Sequence, residues 1–164
     1  MFVVEKVLMR NKMKLGIQYL ENYNKEWGLV SSKEGDSGYD LRAAISESIV
    51  LSPGERKVVP NGIKTQLSSV IYGSEVEIQI RPRSGLAAKK GISVVNAPGT
   101  VDFSYRGELM TILLNTGHED FVINPGDRIS QMVICPIYKP EVVEINEVHE
   151  TDRGDNGFGS SGVL

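Results

Sequence analysis

Glycine-bearing turn signals punctuate this chain so closely that little except short strands fits between them. Pro53-Gly54, Asn61-Gly62, Tyr72-Gly73, Pro98-Gly99, Thr116-Gly117 and Pro125-Gly126 all read as turns. Several lie about 8–12 residues apart, the rhythm of a sandwich or barrel. The segments between them have strand character. Val76-Glu77-Ile78-Gln79-Ile80-Arg81 alternates strictly, which puts Val76, Ile78 and Ile80 on one face. Ile49, Val50, Val58, Val59, Val142, Val143 and Ile145 are β-branched and suit further strands. Met110-Thr111-Ile112-Leu113-Leu114 is apolar on both faces and reads as a central, fully buried strand. Met13 can open the first strand, with Leu15 and Ile17 in it.

One internal segment looks helical. Residues 84–90 begin at Ser84, a favourable cap, and stop at Gly91, about two turns on. Residues 19–27 read as a loop. From Thr151 onward no apolar period remains, and the Gly/Ser-rich end cannot bury enough surface to order itself. The expected layout is an extension over residues 1–12, a β domain over 13–150 and a flexible C-terminal lid over 151–164.

Bulk properties narrow the function classes. With 164 residues, 40% hydrophobic and 24% charged, the chain suits one soluble domain. A net charge of -3 argues against a general nucleic-acid binder. No apolar run approaches the roughly 18 residues of a membrane span, and the N-terminal run is too short and too charged for a secretory signal. The single cysteine, Cys135, cannot form an internal disulfide and reads as core filler. A cytoplasmic protein is the expectation.

Five segments can carry chemistry, though each alone also reads as ordinary structure. Asp36-Ser37-Gly38-Tyr39-Asp40 offers Asp40, either to a metal-bound water or to a turn. Arg81-Pro82-Arg83-Ser84-Gly85 sets arginines and a serine at a helix start, where an anion is favoured. Asn96 and Asp102 flank Pro98-Gly99 and can face each other across a hairpin. Asp102 suits a general base toward water, and Asn96 a base edge. Gln131 is a polar residue entering an apolar strand and needs a partner. In the tail, glycine N–H groups, Ser160 and Ser161 can wrap phosphate oxygens, Arg153 adds a cationic fork, and Phe158 can stack on a base. Gly157-x-Gly159-x-x-Gly162 matches a dinucleotide fingerprint only formally. That motif needs a preceding strand and a following helix, and only Val163 and Leu164 follow it here. His118 and His149 lack ligand-spaced neighbours, so zinc is not expected.

In order and spacing, the five segments resemble the five sequence motifs of the dUTP pyrophosphatases. The likeness runs through Gly38-Tyr39-Asp40-Leu41-Arg42-Ala43, Pro82-Arg83-Ser84-Gly85-Leu86 and Gly99-Thr100-Val101-Asp102 with Tyr105-Arg106-Gly107. It continues through Gly126-Asp127-Arg128-Ile129-Ser130-Gln131 and the Gly-rich tail. It covers the chain from about Met13 onward. Phe103-Ser104 departs from the more polar pair expected there.

The resemblance implies an all-β, distorted jelly-roll sandwich with one short helix, forming a homotrimer with swapped C-terminal segments. It implies Mg2+-dependent hydrolysis of dUTP to dUMP and pyrophosphate, which limits uracil incorporation into DNA and supplies dUMP for thymidylate synthesis. It also implies the roles. Asp102 activates the water, and Tyr105 packs on the deoxyribose. Asn96, Thr100, Val101 and Met110 line the nucleoside site. Arg83, Ser84, Gly85 and Gln131 hold phosphates. Arg153, Phe158, Gly159, Ser160 and Ser161 close the lid, and Asp40 reaches magnesium through water. The rivals are a dCTP deaminase, which shares the fold, and a catalytically silent nucleotide binder.

Overall fold

The computed structural model describes residues 13–28, 34–67 and 75–157. Among them run eleven strands: β1 (Leu15–Tyr19), β2 (Gly38–Arg42), β3 (Ile49–Leu51), β4 (Arg56–Pro60), β5 (Ile63–Leu67), β6 (Glu75–Arg81), β7 (Ile92–Val94), β8 (Gly99–Val101), β9 (Met110–Asn115), β10 (Phe121–Ile123) and β11 (Arg128–Ile137). One helix, α1 (Ser84–Lys90), joins β6 to β7. The strands form a four-stranded sheet β2-β11-β6-β8, a three-stranded sheet β4-β9-β7, and the pairs β1-β5 and β10-β3. Every pairing is antiparallel. The result is the expected all-β jelly-roll sandwich with one short helix.

Each sheet sends its apolar face inward. Leu41, Ile78, Ile80 and Met132 come from the four-stranded sheet, Val59, Ile92 and Leu113 from the three-stranded one, and Leu51, Ile63 and Ile123 from the pairs; all are buried. The alternation in β6 is as expected, with Val76, Ile78 and Ile80 buried and Glu77, Gln79 and Arg81 half-buried on the other face. Gly62 shows why one turn requires glycine. Its φ is +68, and a Cβ there would lie 2.7 Å from Ala44 Cβ and 2.9 Å from Tyr23 Cβ. No helix among the described residues is long and apolar enough to cross a membrane.

Several local expectations are corrected. Ser84 is the first helical residue and not the cap. Arg83 occupies the cap position without a capping side-chain bond, since a guanidinium has no acceptor to offer; its Nε instead donates to Asp40 at 2.9 Å. Residues 19–27 finish β1 and end in a single 3-10 turn, Lys25–Trp27, rather than running as plain loop. Strand β9 is central in its sheet but buried on one face only. Thr111, Leu113 and Asn115 point inward, while Met110 stays exposed and Ile112 and Leu114 half-buried. Val142, Val143 and Ile145 join no strand. All residues from 138 to 150 are exposed, Val142 at 95%. Cys135 is half-buried on the outer face of the sheet, opposite Glu77, where Arg81 Nη2 lies 3.3 Å from its sulfur.

A buried polar network fastens the two large sheets together. Thr111 Oγ1 donates to Asn61 Oδ1 at 3.0 Å and lies 2.7 Å from Ser130 Oγ. Asn61 Nδ2 donates to the carbonyl of Arg42 at 2.9 Å. All three side chains are essentially sealed from water, so their polar atoms must find partners inside the protein. Replacing Thr111 with valine strips both partners at constant shape. The variant should lose about 1–3 kcal/mol in denaturant unfolding, and wild-type stability would show that the network does not hold the sheets.

Candidate active site

Strand register gathers residues that lie far apart in the chain. On β11, Gln131 stands opposite Asp40 of β2 on one side and Arg81 of β6 on the other. Two residues beyond Arg81, Arg83 turns back. Its Nε donates to Asp40 Oδ1 at 2.9 Å and its Nη1 to the carbonyl of Arg128 at 3.1 Å. Arg128 Nη1 donates to the other oxygen of the same carboxylate at 3.1 Å. Asp40 therefore sits between two guanidinium groups.

Around this pair lies a cavity of about 460 Å³, walled by Asp40, Arg83, Ser84, Gly85 and Gln131 together with Asp36, Ser37, Gly38 and Lys89. Lys89 and Arg128 are cations without a role in the sequence expectations, although Arg128 stands within Gly126-Asp127-Arg128-Ile129-Ser130-Gln131. For Lys89 a signal existed, since it stands four residues after Gly85 and so on the same helix face. Nothing local foretold Arg128, whose partner is 88 residues away. Gln131 has the partner its position demanded, with Nε2 donating to the carbonyl of Pro82 at 3.0 Å.

A second cavity, of about 330 Å³, is separate from the first. Asn96, Thr100, Val101, Asp102, Tyr105 and Met110 all line it, along with Val58, Ile80, Glu108 and Ile112. Its parts come from both large sheets. β8 pairs with β6, matching Gly99 to Ile80 and Thr100 to Gln79, whereas β7 pairs with β9. Asn96 and Asp102 thus do not face each other across a hairpin of paired strands. The turn at Pro98-Gly99 carries the chain from one sheet to the other and still leaves both residues on one cavity. Gly99 is buried beneath Asn96. A Cβ there would lie 3.1 Å from Asn96 Nδ2.

The rim of this cavity is a tight loop. Tyr105 N donates to the carbonyl of Asp102 at 3.0 Å, and Tyr105 OH to the carbonyl of Glu108 at 3.1 Å. Arg106 Nη1 clamps the carbonyls of Phe103 and Tyr105, each at 2.8 Å. Asp102 itself is exposed. So are Val58, Tyr105 and Met110, an apolar wall open to solvent.

The dUTPase family model matches residues 28–162. The chain belongs to the dUTPase family. It is 52% identical over 130 residues to the deoxyuridine 5'-triphosphate nucleotidohydrolase of Clostridium novyi, covering 79% of this chain and 87% of that protein. With the corresponding protein of Bdellovibrio bacteriovorus it shares 41% over 151 residues, covering 92% and 97%. Among solved structures, the dUTPase of Staphylococcus bacteriophage 80alpha with dUPNHPP superposes with a TM-score of 0.76 at 26% identity, over 92% of this chain and 99% of that one.

Not every residue expected at a dUTPase site joins the two cavities. Arg153 lies in an exposed turn, where its Nε donates to the carbonyl of Asn156 at 2.9 Å. Phe158, Gly159, Ser160 and Ser161 lie outside the described residues. A test of the first cavity follows from Gly38, where a Cβ would lie 2.6 Å from Gln131 Oε1. Gly38→Ala should push the Gln131 amide off Pro82 and weaken inorganic triphosphate binding roughly tenfold, the worth of one hydrogen bond to a charged group. Titration calorimetry reads this, and full affinity with the amide displaced would remove Gln131 from the anion site.

Proposed function

We propose that this chain hydrolyses dUTP to dUMP and pyrophosphate, and that its two cavities are the two halves of one kind of site. The supporting observation is the sorting of residues between them. The cavity around Asp102 and Tyr105 offers an apolar wall and an amide, which suit a nucleoside. The cavity around Arg83 and Gln131 offers cations and a helix start, which suit phosphate.

Asp102 is the base. Its exposed carboxylate takes a proton from water, the water oxygen bonds to the α-phosphorus, and the bond from that phosphorus to the bridging oxygen breaks. Pyrophosphate leaves. Such transfers depend mainly on positioning and charge neutralisation, which is the task of Arg83, Ser84, Gly85 and Gln131. Asn96 reads the uracil edge, with Thr100, Val101 and Met110 beside it. Directional hydrogen bonds of this kind discriminate strongly against cytosine. Tyr105 stands against the deoxyribose and leaves no room for a 2′-hydroxyl.

Magnesium fits this donor set only in an outer role. Among the described residues no cluster of three or more His, Cys, Asp or Glu is placed to hold a metal. Asp40 already accepts from two guanidinium groups, so it would hold the ion only through water. Magnesium keeps several waters and binds substrate phosphates readily; when bound, it neutralises charge on the triphosphate.

The assembly is a homotrimer in which one copy supplies the nucleoside cavity and another the phosphate cavity. Support comes from the separation of the cavities within one chain and from the exposed stretch 138–150. Tyr138, Val142, Val143, Ile145 and Val148 find no cover there, and such a surface calls for a partner. The stretch extends to a neighbour, where residues 151–164 close over the substrate, with Arg153, Ser160 and Ser161 on phosphate and Phe158 over uracil. The half-buried free thiol of Cys135 suits a reducing cytoplasm.

Pyrophosphate release from dUTP, dCTP, dTTP and UTP, with magnesium and with EDTA, tests the reading. Release from dUTP alone, lost in EDTA, is expected. Binding without release would mean a silent binder, and ammonia from dCTP a deaminase. Sites shared between copies give a second outcome. Asp102→Asn and a chain lacking residues 152–164 should each lose most turnover, yet regain part of it when unfolded and refolded together. Mixed trimers as inactive as their parents would place each site within one copy.

A further inference from the structure

We infer that Gly107 is a specificity-determining positioning residue, because its bare backbone is the ledge on which the Tyr105 ring lies. This rests on the sugar-reading role proposed for Tyr105. A Cβ on Gly107 would lie 2.5 Å from Tyr105 Cζ and 3.0 Å from Cε2, and closer still to the hydroxyl. Carbon atoms rest about 3.5–4.0 Å apart, so the ring and a side chain at 107 exclude each other.

The backbone does not explain this glycine. Gly107 is absent from the positive-φ positions, unlike Gly62, Gly91 or Gly126. The main chain at 107 is therefore free of the left-handed strain that would bar alanine, and the nearest atoms a Cβ would meet are those of the ring.

The surroundings leave the ring as the part that must yield. At one end of the loop, Tyr105 N is bonded to Asp102 O, and Arg106 grips the carbonyls of Phe103 and Tyr105. At the other end, Glu108 is tied to the body of the protein. Its Oε1 accepts from Gly62 N at 2.8 Å and from Asn22 Nδ2 at 3.3 Å. Its carbonyl receives the Tyr105 hydroxyl. A methyl group at 107 therefore swings the ring out of its rotamer, breaks that hydrogen bond, and opens the wall where a ribose hydroxyl would stand.

The experiment compares kcat/KM for dUTP and UTP in the full-length chain, its Gly107→Ala and Tyr105→Ala variants, and the double variant. Gly107→Ala should cut the preference for dUTP roughly tenfold or more, a range typical of steric discrimination. In the Tyr105→Ala background the same change should add nothing, since the two residues act as a unit. If Tyr105→Ala relaxes the preference while Gly107→Ala retains it, or if the two effects add, the ledge is overturned. An unaltered preference in Tyr105→Ala would remove the sugar-reading role and the ledge with it. Should Gly107→Ala melt early, the double variant must regain stability because the clashing ring is gone; continued instability would also overturn the proposal.

Discussion

Everything the two cavities need hangs on three buried polar side chains. Asn61, Thr111 and Ser130 are each 1% exposed or less. Buried polar atoms left without partners cost about 1–3 kcal/mol each, so the geometry that satisfies them is strongly preferred over neighbouring registers. Thr111 belongs to β9, Ser130 to β11, and the Arg42 carbonyl to β2. The network therefore fixes one sheet against the other at a single level. Met110 and Gln131 are the next residues along on β9 and β11, and strand alternation turns them away from the core. Each lines one of the two cavities. Asn61 N also donates to the carbonyl of Leu109 at 2.9 Å, which anchors the end of the rim loop. A slip of one residue in either strand would exchange buried and cavity-lining side chains.

Charge is arranged with similar economy around Asp40. One carboxylate holds two guanidinium groups, so the cluster stays net positive in a chain whose formal charge is -3. Partly exposed ion pairs of this kind add little stability. Their effect is positional. Arg83 is held pointing into the cavity although the cap position of α1 would leave a long side chain free to wander. An incoming polyanion meets cations already oriented, and ordering costs that would oppose binding have been met during folding.

The sequence revealed this molecule unevenly, and the failures share a cause. The alternation of β6 was legible because both its faces are settled within one chain. So was the stop at Gly91, whose left-handed cap geometry is a local property. The apolar pattern of β9 and the β-branched residues 142–145 misled because they imply more cover than a single chain supplies. Residues 142–145 fit a surface buried against other copies, as the proposed trimer would provide, while Met110 and Ile112 of β9 wall the nucleoside cavity. Ser84 suits a cap by local rules alone, yet Arg83 holds that position. The Arg83 side chain obeys a partner 43 residues away, and local spacing carries no trace of that. The cavity membership of Asn96, Asp102 and Gln131 is reachable through resemblance, and Arg128 stands in the same motif as Gln131, whereas the strut Glu108 lies outside the motifs and its partners, Gly62 and Asn22, are remote in sequence.

The rim loop also couples two properties that an enzyme would otherwise adjust separately. Asp102 and Tyr105 close one turn, joined by the bond from Tyr105 N to Asp102 O. The proposed base and the proposed sugar wall are therefore two ends of one rigid piece. A shift of the loop backbone, unlike rotation of the ring alone, also moves the carboxylate relative to the α-phosphorus, and misplacement by about 1 Å can cost two orders of magnitude in rate. Under the proposed mechanism, a loop whose backbone shifts to admit ribose is thus also a poor catalyst for ribose substrates, whereas displacing the ring alone removes only the steric part. Discrimination against UTP then draws on lost alignment as well as on lost space, which is how a single turn of chain can serve as both sieve and base.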